Sequence, residues 1–161
     1  VVEPGWKYNM LDLQAALGCE QMKKLERFNA ARTQLAANYD RLLADVPEVK
    51  ALARPAYEHV HAWHLYIVQL DLEALDIDRD AFMGELGARG IGTGLHFTPV
   101  HLHAYYRKKY GFGPGDLPVT EAAGERIVSL PLYPLLTPGG QQRVVSAIKD
   151  VVQAHKPCRV A

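Results

Sequence analysis

The stretch Arg89-Gly90-Ile91-Gly92-Thr93-Gly94-Leu95-His96-Phe97-Thr98-Pro99 places three glycines at alternate positions of an extended segment. Glycine weakens a strand and supplies no packing, so this spacing favours a backbone that bends sharply or that another group approaches closely. A histidine and an aromatic ring follow just before a proline. The pattern therefore predicts a strand over residues 91–97 that forms the edge of a site.

The region before this stretch predicts a long helix, or a helix pair, and one strand. Apolar residues recur at helical spacing from Met10 to about Val46, and Pro47 ends the helix. Gly18 is the expected position of a bend, and the apolar stripe is expected to belong to the core. A helix this long in so small a chain usually packs against another domain or subunit. Aromatic and β-branched residues then predict a strand over residues 60–70.

The remaining pattern is α+β, with a few strands covered by helices. Asp78 is a favoured N-cap for a helix that runs to about Arg89, where Gly90 supplies the stop. Three further helices are expected over residues 103–110, over residues 119–128 and from the Thr137 cap onward, with a proline-rich edge segment over residues 129–134.

Composition and charge restrict the class of protein. The chain of 161 residues is 48% hydrophobic and 22% charged, as in an ordinary globular domain. Its 18 basic and 18 acidic residues balance, which disfavours nucleic acid and anionic membranes as partners. No apolar run approaches the roughly 18 residues of a membrane-spanning helix. The cysteines, Cys19 and Cys158, lie near opposite ends, so free thiols in a reducing cytoplasm are expected.

Seven histidines raise the question of a metal site. His59 with His61, and His101 with His103, would each share one face of an extended strand. However, no cysteine or carboxylate accompanies them at zinc-binding spacing, and no His-x-x-x-His helical pair occurs. Structural or ligand-contacting roles are therefore expected, with a metal site as the less favoured alternative.

Three places carry side chains suited to a ligand. His96 ends the glycine-rich segment, which favours a role in a site. Lys7, Tyr8 and Asn9 follow a Pro-Gly turn at a helix entrance, where phosphate binds readily, although Asn9 as a helix N-cap is the structural alternative. The segment 105–110 offers tyrosine, arginine and lysine donors to an anion, although a solvated helix face explains the same composition.

Four ordered motifs resemble the C-terminal domain of the DegT/DnrJ/EryC1/StrS family of sugar aminotransferases. They extend over nearly the whole chain and occupy residues 5–16, 59–65, 89–97 and 129–134. The Lys-Tyr-Asn, His-Ala-Trp-His and Gly-Leu-His-Phe versions are most similar to family members that make UDP-4-amino-4-deoxy-L-arabinose. The resemblance implies the small domain of a fold-type-I enzyme, with a long N-terminal helix and a small, mainly antiparallel sheet covered by helices.

The resemblance also implies a reaction and its site. Family members use pyridoxal 5′-phosphate (PLP) to move an amino group from glutamate, which becomes 2-oxoglutarate, to a nucleotide-linked keto-sugar. The site lies at a homodimer interface, where Asn9 would bind the cofactor phosphate of the partner subunit, with Lys7 and Tyr8 beside it. His96 and Phe97 would line the pocket for the amino donor or the sugar. The expected setting is cytoplasmic synthesis of cell-envelope or lipopolysaccharide sugars.

One departure from the family pattern limits this interpretation. The lysine that forms the Schiff base, and the carboxylate that pairs with the pyridine nitrogen, belong to the family's large N-terminal domain, and neither motif occurs in this chain. Residues 1–161 are therefore predicted to be a C-terminal small domain that contains no catalytic residue and is inactive alone. Two alternatives stay open: a non-catalytic oligomerisation or small-ligand module, and a fragment of a PLP-dependent sugar dehydratase, in which histidine replaces the lysine.

Overall fold

The computed structural model describes residue 6 and residues 8–157, and its centre is a three-stranded antiparallel sheet. The strands lie in the order β1 (Val49–Ala51), β2 (Tyr66–Leu70) and β3 (Ile127–Leu130). Val68 of the central strand lies opposite Ala51 on one side and Val128 on the other. Because side chains alternate between the faces of a strand, Tyr66, Val68 and Leu70 all point into the core, where they are buried.

Helices cover this sheet, as the sequence predicts for an α+β domain. Both α2 and α3 contact α6. The helices of the described residues are α1 (Asp12–Met22), α2 (Leu25–Leu42), α3 (Arg79–Ala88), α4 (Ala104–Tyr110), α5 (Pro118–Arg126) and α6 (Pro138–Ala154), with a short 3-10 helix over Val100–Leu102.

The main core combines the buried face of the sheet with residues of α2, α3 and α6. Val144, Val145, Ile148, Val151 and Val152 form the apolar face predicted for this helix, and all five are buried. Burying an aliphatic side chain of this size contributes roughly 1.5–3 kcal/mol relative to leaving it in water. The last helix is therefore a principal source of the stability of the domain.

The predicted helix starts and stops are confirmed at three positions. Asp78 caps α3, because its Oδ1 accepts a hydrogen bond from the Ala81 N–H at 2.8 Å. Thr137 caps α6 in the same way, accepting from the Gly140 N–H at 3.1 Å. Gly90 follows α3 with a φ of +73°, in the left-handed region that favours glycine.

The long N-terminal helix differs from its prediction in two respects. It is interrupted between Met22 and Leu25, whereas Gly18 lies inside α1, so the expected bend at Gly18 is wrong. Its apolar stripe is also not core throughout: α1 has no buried residue, and Leu13 and Leu17 are 74% and 61% exposed. The core assignment is correct only further along, in the second half of α2, because only that part lies against the sheet and α6.

The two predicted strands are shorter than the sequence indicates. Residues 60–65 are irregular, since Trp63 has a φ of +48° and cannot continue an extended chain. The segment 91–97 forms a single bridge, from Gly94 to Ser129, in place of a strand. The helix expected over 119–128 ends at Arg126, where β3 begins.

Other sequence-based expectations concern thiols and membranes. Cys19 is a free, exposed thiol on α1, and Cys158 lies outside the described residues. Within the described part of the chain, no helix combines the length and apolarity needed to cross a bilayer.

Candidate functional site

His96 is held at the end of the sheet by β3. Its Nδ1 lies 2.8 Å from the Oγ of Ser129, a buried residue of that strand. The Ser129 backbone also exchanges two hydrogen bonds with Gly94, of 2.8 and 3.0 Å. One serine therefore fixes both the backbone that leads to His96 and the imidazole itself.

Gly94 is required because the imidazole of His96 folds back over it. A Cβ atom at position 94 would lie only 2.7 Å from His96 Cε1, well inside van der Waals contact. At Gly92, by contrast, nothing lies within 4 Å of the place a Cβ would occupy. The close approach predicted from the glycine spacing is thus confirmed at Gly94, and the group that approaches is the site histidine.

An open cavity of about 240 Å³ lies beside His96. With Nδ1 engaged by Ser129, Nε2 is the ring nitrogen left to donate to, or accept from, a ligand. Complete ligand pockets usually measure about 300–1,000 Å³, so this cavity has the size of one part of a pocket. Its lining consists of His64, Leu65, Gly92, Thr93, Gly94, His96, Ser129, Leu130, Pro131 and Leu132.

Phe97 stands next to His96 on the outer surface. Its ring is 4.9 Å from the imidazole, edge to face at 76°, and the residue is 69% exposed. Exposed aromatic side chains are suited to contacting a ligand that has both polar and apolar faces. Of the two residues predicted to line a substrate pocket, only His96 lines this cavity, and the role of Phe97 stays a prediction.

Tyr39 holds one wall of this cavity in place, a role that the sequence did not indicate. Its hydroxyl donates a hydrogen bond of 2.9 Å to the carbonyl of Pro131, which lines the cavity. Burial raises the pKa of the Tyr39 phenol, so the hydroxyl keeps its proton and remains a donor. In the sequence, Tyr39 is one more apolar position of a helical stripe, and only the fold reveals its polar partner.

A second cavity, of about 320 Å³, shares His64 and Leu65 with the first. The Tyr66 hydroxyl donates to Asp40 Oδ1 at 2.8 Å, and burial followed by this bond to Asp40 raises the Tyr66 pKa. Asp40 also forms an ion pair with Arg54, whose guanidinium lies 4.9 Å from the Trp63 ring. This network holds the segment 61–65 that separates the two cavities.

The N-terminal candidates lie on an open surface. Lys7 is outside the described residues, whereas Tyr8 is 85% exposed and Asn9 is also exposed. Asn9 is not the helix cap, because α1 begins at Asp12 and Leu11 precedes it. Neither Tyr8 nor Asn9 forms a side-chain hydrogen bond to another described residue.

The other candidate clusters have internal explanations. On α4, Lys109 donates to the Tyr105 hydroxyl at 2.9 Å and lies over the rings of Tyr105 and Tyr110. This helix face is solvated, as the alternative expected, but its aromatic rings are exposed and not buried. Among the histidines, His101 is buried against Glu121. Across residue 6 and residues 8–157, no group of three or more His, Cys, Asp or Glu side chains is arranged to hold a metal ion.

Comparison with known proteins decides the family. The sequence profile of the DegT/DnrJ/EryC1/StrS aminotransferase family matches residues 2–149. The chain belongs to this family. Its fold is that of the small domain of fold-type-I aminotransferases. This agrees with the α+β class predicted from the sequence and with the fold that the resemblance implies.

Solved members of the family share this architecture. The aminotransferase TlmJ from Streptoalloteichus hindustanus is 27% identical, with a TM-score of 0.81 over 96% of this chain and 40% of its own. A sugar aminotransferase, Spr1654 from Streptococcus pneumoniae, solved in a PLP form, is 28% identical, with a TM-score of 0.83 over 95% of this chain and 38% of its own. The DegT/DnrJ/EryC1/StrS chain described here thus spans about 40% of the length of such relatives.

Proposed function

We propose that this chain is the C-terminal small domain of a PLP-dependent aminotransferase that moves an amino group from glutamate to a nucleotide-linked keto-sugar. The observation that carries the proposal is the His96 cavity, which lies beside an exposed aromatic residue in a member of an aminotransferase family. The similarity of its motifs to those of arabinose-modifying members favours a UDP-linked 4-keto-pentose as the sugar.

The residues present fit one part of PLP. The exposed side chains of Tyr8 and Asn9, which have no partner among the described residues, are suitable donors for the phosphate of the cofactor. No lysine is among the described residues that line the His96 cavity, so the amine that holds the cofactor would come from another region of the protein. When bound, PLP supplies the electron sink for breaking bonds at the carbon that bears the amine.

The side chains of this chain would then bind and orient the substrate. Ser129 fixes His96 through Nδ1, which leaves Nε2 directed to a ligand hydroxyl or carboxylate. Phe97 would cover the apolar face of the sugar and exclude water from it. Asn9 would donate its amide to the phosphate. These are binding and positioning roles, and no residue of this chain is proposed to be catalytic.

The exposed helix α1 supports assembly with further protein. Its leucines lie in solvent here, although apolar side chains grouped on one helix are usually covered in the functional protein. A homodimer with composite sites, working in the cytoplasm on cell-envelope or lipopolysaccharide sugars, accounts for this face. The isolated chain would be inactive.

Transfer by the full-length protein tests the proposal. Incubated with PLP, glutamate and a UDP-linked 4-keto-pentose, it should form 2-oxoglutarate and the amino-sugar in equal amounts. Asn9→Ala should weaken retention of PLP, whereas Gln21→Ala, an exposed control on α1, should not. No transfer with any UDP-linked or dTDP-linked keto-sugar would contradict the reaction, and unchanged PLP retention in Asn9→Ala would contradict the role of Asn9.

The exposed leucines of α1 also favour a second candidate function, that of a non-catalytic oligomerisation module. Light scattering of the full-length protein together with the transfer assay separates the two. An oligomer that neither binds PLP nor transfers an amino group would favour the module. A protein that binds PLP and removes a sugar hydroxyl without amino transfer would instead be a dehydratase.

A further inference from the structure

The segment that follows His96 and Phe97 is seated on helix α5. The Pro99 ring packs against Gly124, where an added Cβ would lie 2.6 Å from the proline Cγ. Arg79 donates a hydrogen bond of 2.7 Å to the Gly124 carbonyl from the other side. This part of α5 therefore forms a tightly packed surface beneath the chain just after Phe97.

Two residues later, a polar pair formed by buried His101 and half-buried Glu121 fastens the same segment. His101 is only 4% exposed, and its Nε2 lies 2.9 Å from Oε1 of Glu121. The carboxylate is an acceptor, so the imidazole donates its Nε2 proton. Nδ1 is buried and has no hydrogen-bond partner among the described residues, which leaves the Glu121 bond as the polar anchor of this side chain.

Glu121 gathers a third segment at the same point. Its carboxylate accepts from the Gly115 N–H at 2.8 Å and from the Leu117 N–H at 3.1 Å. Gly115 has a φ of +94°, a conformation open to glycine, which allows this loop to reach the carboxylate. The Gly115 N–H, followed by His101, lowers the pKa of Glu121, so the acceptor stays ionised.

The same structural unit holds His96 from its other side. Helix α5 leads directly into β3, whose Ser129 bonds to Gly94 and to the His96 ring. The segment 94–101 is thus attached to the α5–β3 unit at both ends, at Ser129 and at Glu121. Neither His101 nor Glu121 is among the described residues that line the His96 cavity.

We propose that His101 and Glu121 are a positioning pair that fixes the His96–Phe97 edge of the substrate cavity. The inference rests on the proposed function for its link to catalysis, while the anchoring itself is independent of that function. Loss of the pair releases the segment at its Pro99–Leu102 end and leaves the Ser129 end attached. Phe97 can then shift relative to His96. The contacts of these two side chains with the substrate, which are equally strong in the ground state and in the transition state, become weaker.

Two substitutions of matched size test this in the full-length enzyme. His101→Leu fills the same space without a donor, whereas His101→Gln keeps a donor near the place of Nε2. We expect His101→Leu to raise KM for the UDP-linked keto-sugar about tenfold with kcat changed by less than about twofold, as for a loss of uniform binding. His101→Gln should restore most of the affinity, and the exposed control His103→Asn should behave as wild type.

Amide hydrogen exchange of the same proteins supplies a readout that does not need activity. His101→Leu should speed exchange in residues 95–103 and 113–117 about tenfold while residues 138–154 stay unchanged, because the release is local. Unchanged exchange in 95–103, or equal acceleration throughout the domain, would overturn the positioning role. If wild type transfers no amino group, the proposed function fails, and the exchange result alone still decides whether the pair anchors the segment.

Discussion

Helices α1 and α6 lie at the two extremes of this domain. The sequence gives both of them apolar residues at helical spacing. In α6 these residues are buried in the core, whereas in α1 no residue is buried. An isolated helix of 11 residues is marginally stable in water, so α1 needs a partner that α6 already has.

The two helices differ because one part of the domain has a closed core and another part is exposed. We call the buried core that includes the apolar face of α6 the closed side of the domain. We call α1, together with Tyr8 and Asn9 before it, the open side, because these residues are exposed; the His96 cavity is also smaller than a full ligand pocket. This is the distribution expected when half of a site belongs to another part of the protein.

The largest effect is expected from opening the closed side. Ile148→Ala leaves a cavity in the core, because Ile148 is fully buried, and should lower the free energy of unfolding by about 2–5 kcal/mol. Chemical denaturation of the purified protein measures this. A loss no greater than that of a surface substitution would show that α6 is not the principal packing element.

A smaller effect is expected where the site meets the core. Gly94→Ala places a methyl group against the His96 ring and should cost about 1–3 kcal/mol of stability, as in other overpacked positions. It should also weaken binding of the sugar nucleotide, since the ring must leave Ser129. Gly92→Ala, which has open space, is the control, and equal effects of the two substitutions would disprove the packing explanation.

An acid-dependent effect is expected at an exposed ion pair at the end of α5. The Arg126 guanidinium, which donates two hydrogen bonds to the Glu73 carboxylate, lowers the Glu73 pKa to about 2 from an ordinary 4.5. The contribution of Glu73 is therefore complete above pH 4.5 and is lost as the pH falls towards 2. Denaturation between pH 6 and about pH 3 should show a smaller loss of stability in Glu73→Gln than in wild type. An identical pH dependence would contradict the ion pair, and Glu20→Gln on α1 is the matched control.

The smallest effect is expected on the open side. Leu17→Ala removes a leucine that is mostly in solvent, so the unfolding free energy of this chain should change by less than about 0.5 kcal/mol. Thermal or chemical denaturation checks this. A loss comparable to that of Ile148→Ala would mean that α1 is packed within the domain.

Local patterns in the sequence predicted much of this fold. The caps at Asp78 and Thr137, the stop at Gly90 and the buried face of α6 all follow from residue type and spacing. The close approach at Gly94 was also predicted, because alternate glycines have little other use in an extended segment.

Contacts between residues that are far apart in the chain could not be predicted from the sequence. The pairing of His96 with Ser129 requires a bridge between segments 33 residues apart, and the Tyr39–Pro131 bond spans 92 positions. The exposure of Leu13 and Leu17 was missed because periodicity identifies an apolar stripe without identifying what covers it. The roles of Asn9 and Phe97 remain predictions, to be tested in the full-length protein.

The most direct test of a composite site asks whether the Leu17 face of α1 is covered in the full-length protein. A thiol introduced by Leu17→Cys, with Cys19 and Cys158 replaced by serine, would be labelled with a maleimide, and Val119→Cys, at a position 84% exposed on α5, would serve as the reference. If another region of the protein packs on α1, the thiol at position 17 should react about tenfold more slowly than the one at position 119. Equal labelling rates would show that α1 stays in solvent and would contradict the account.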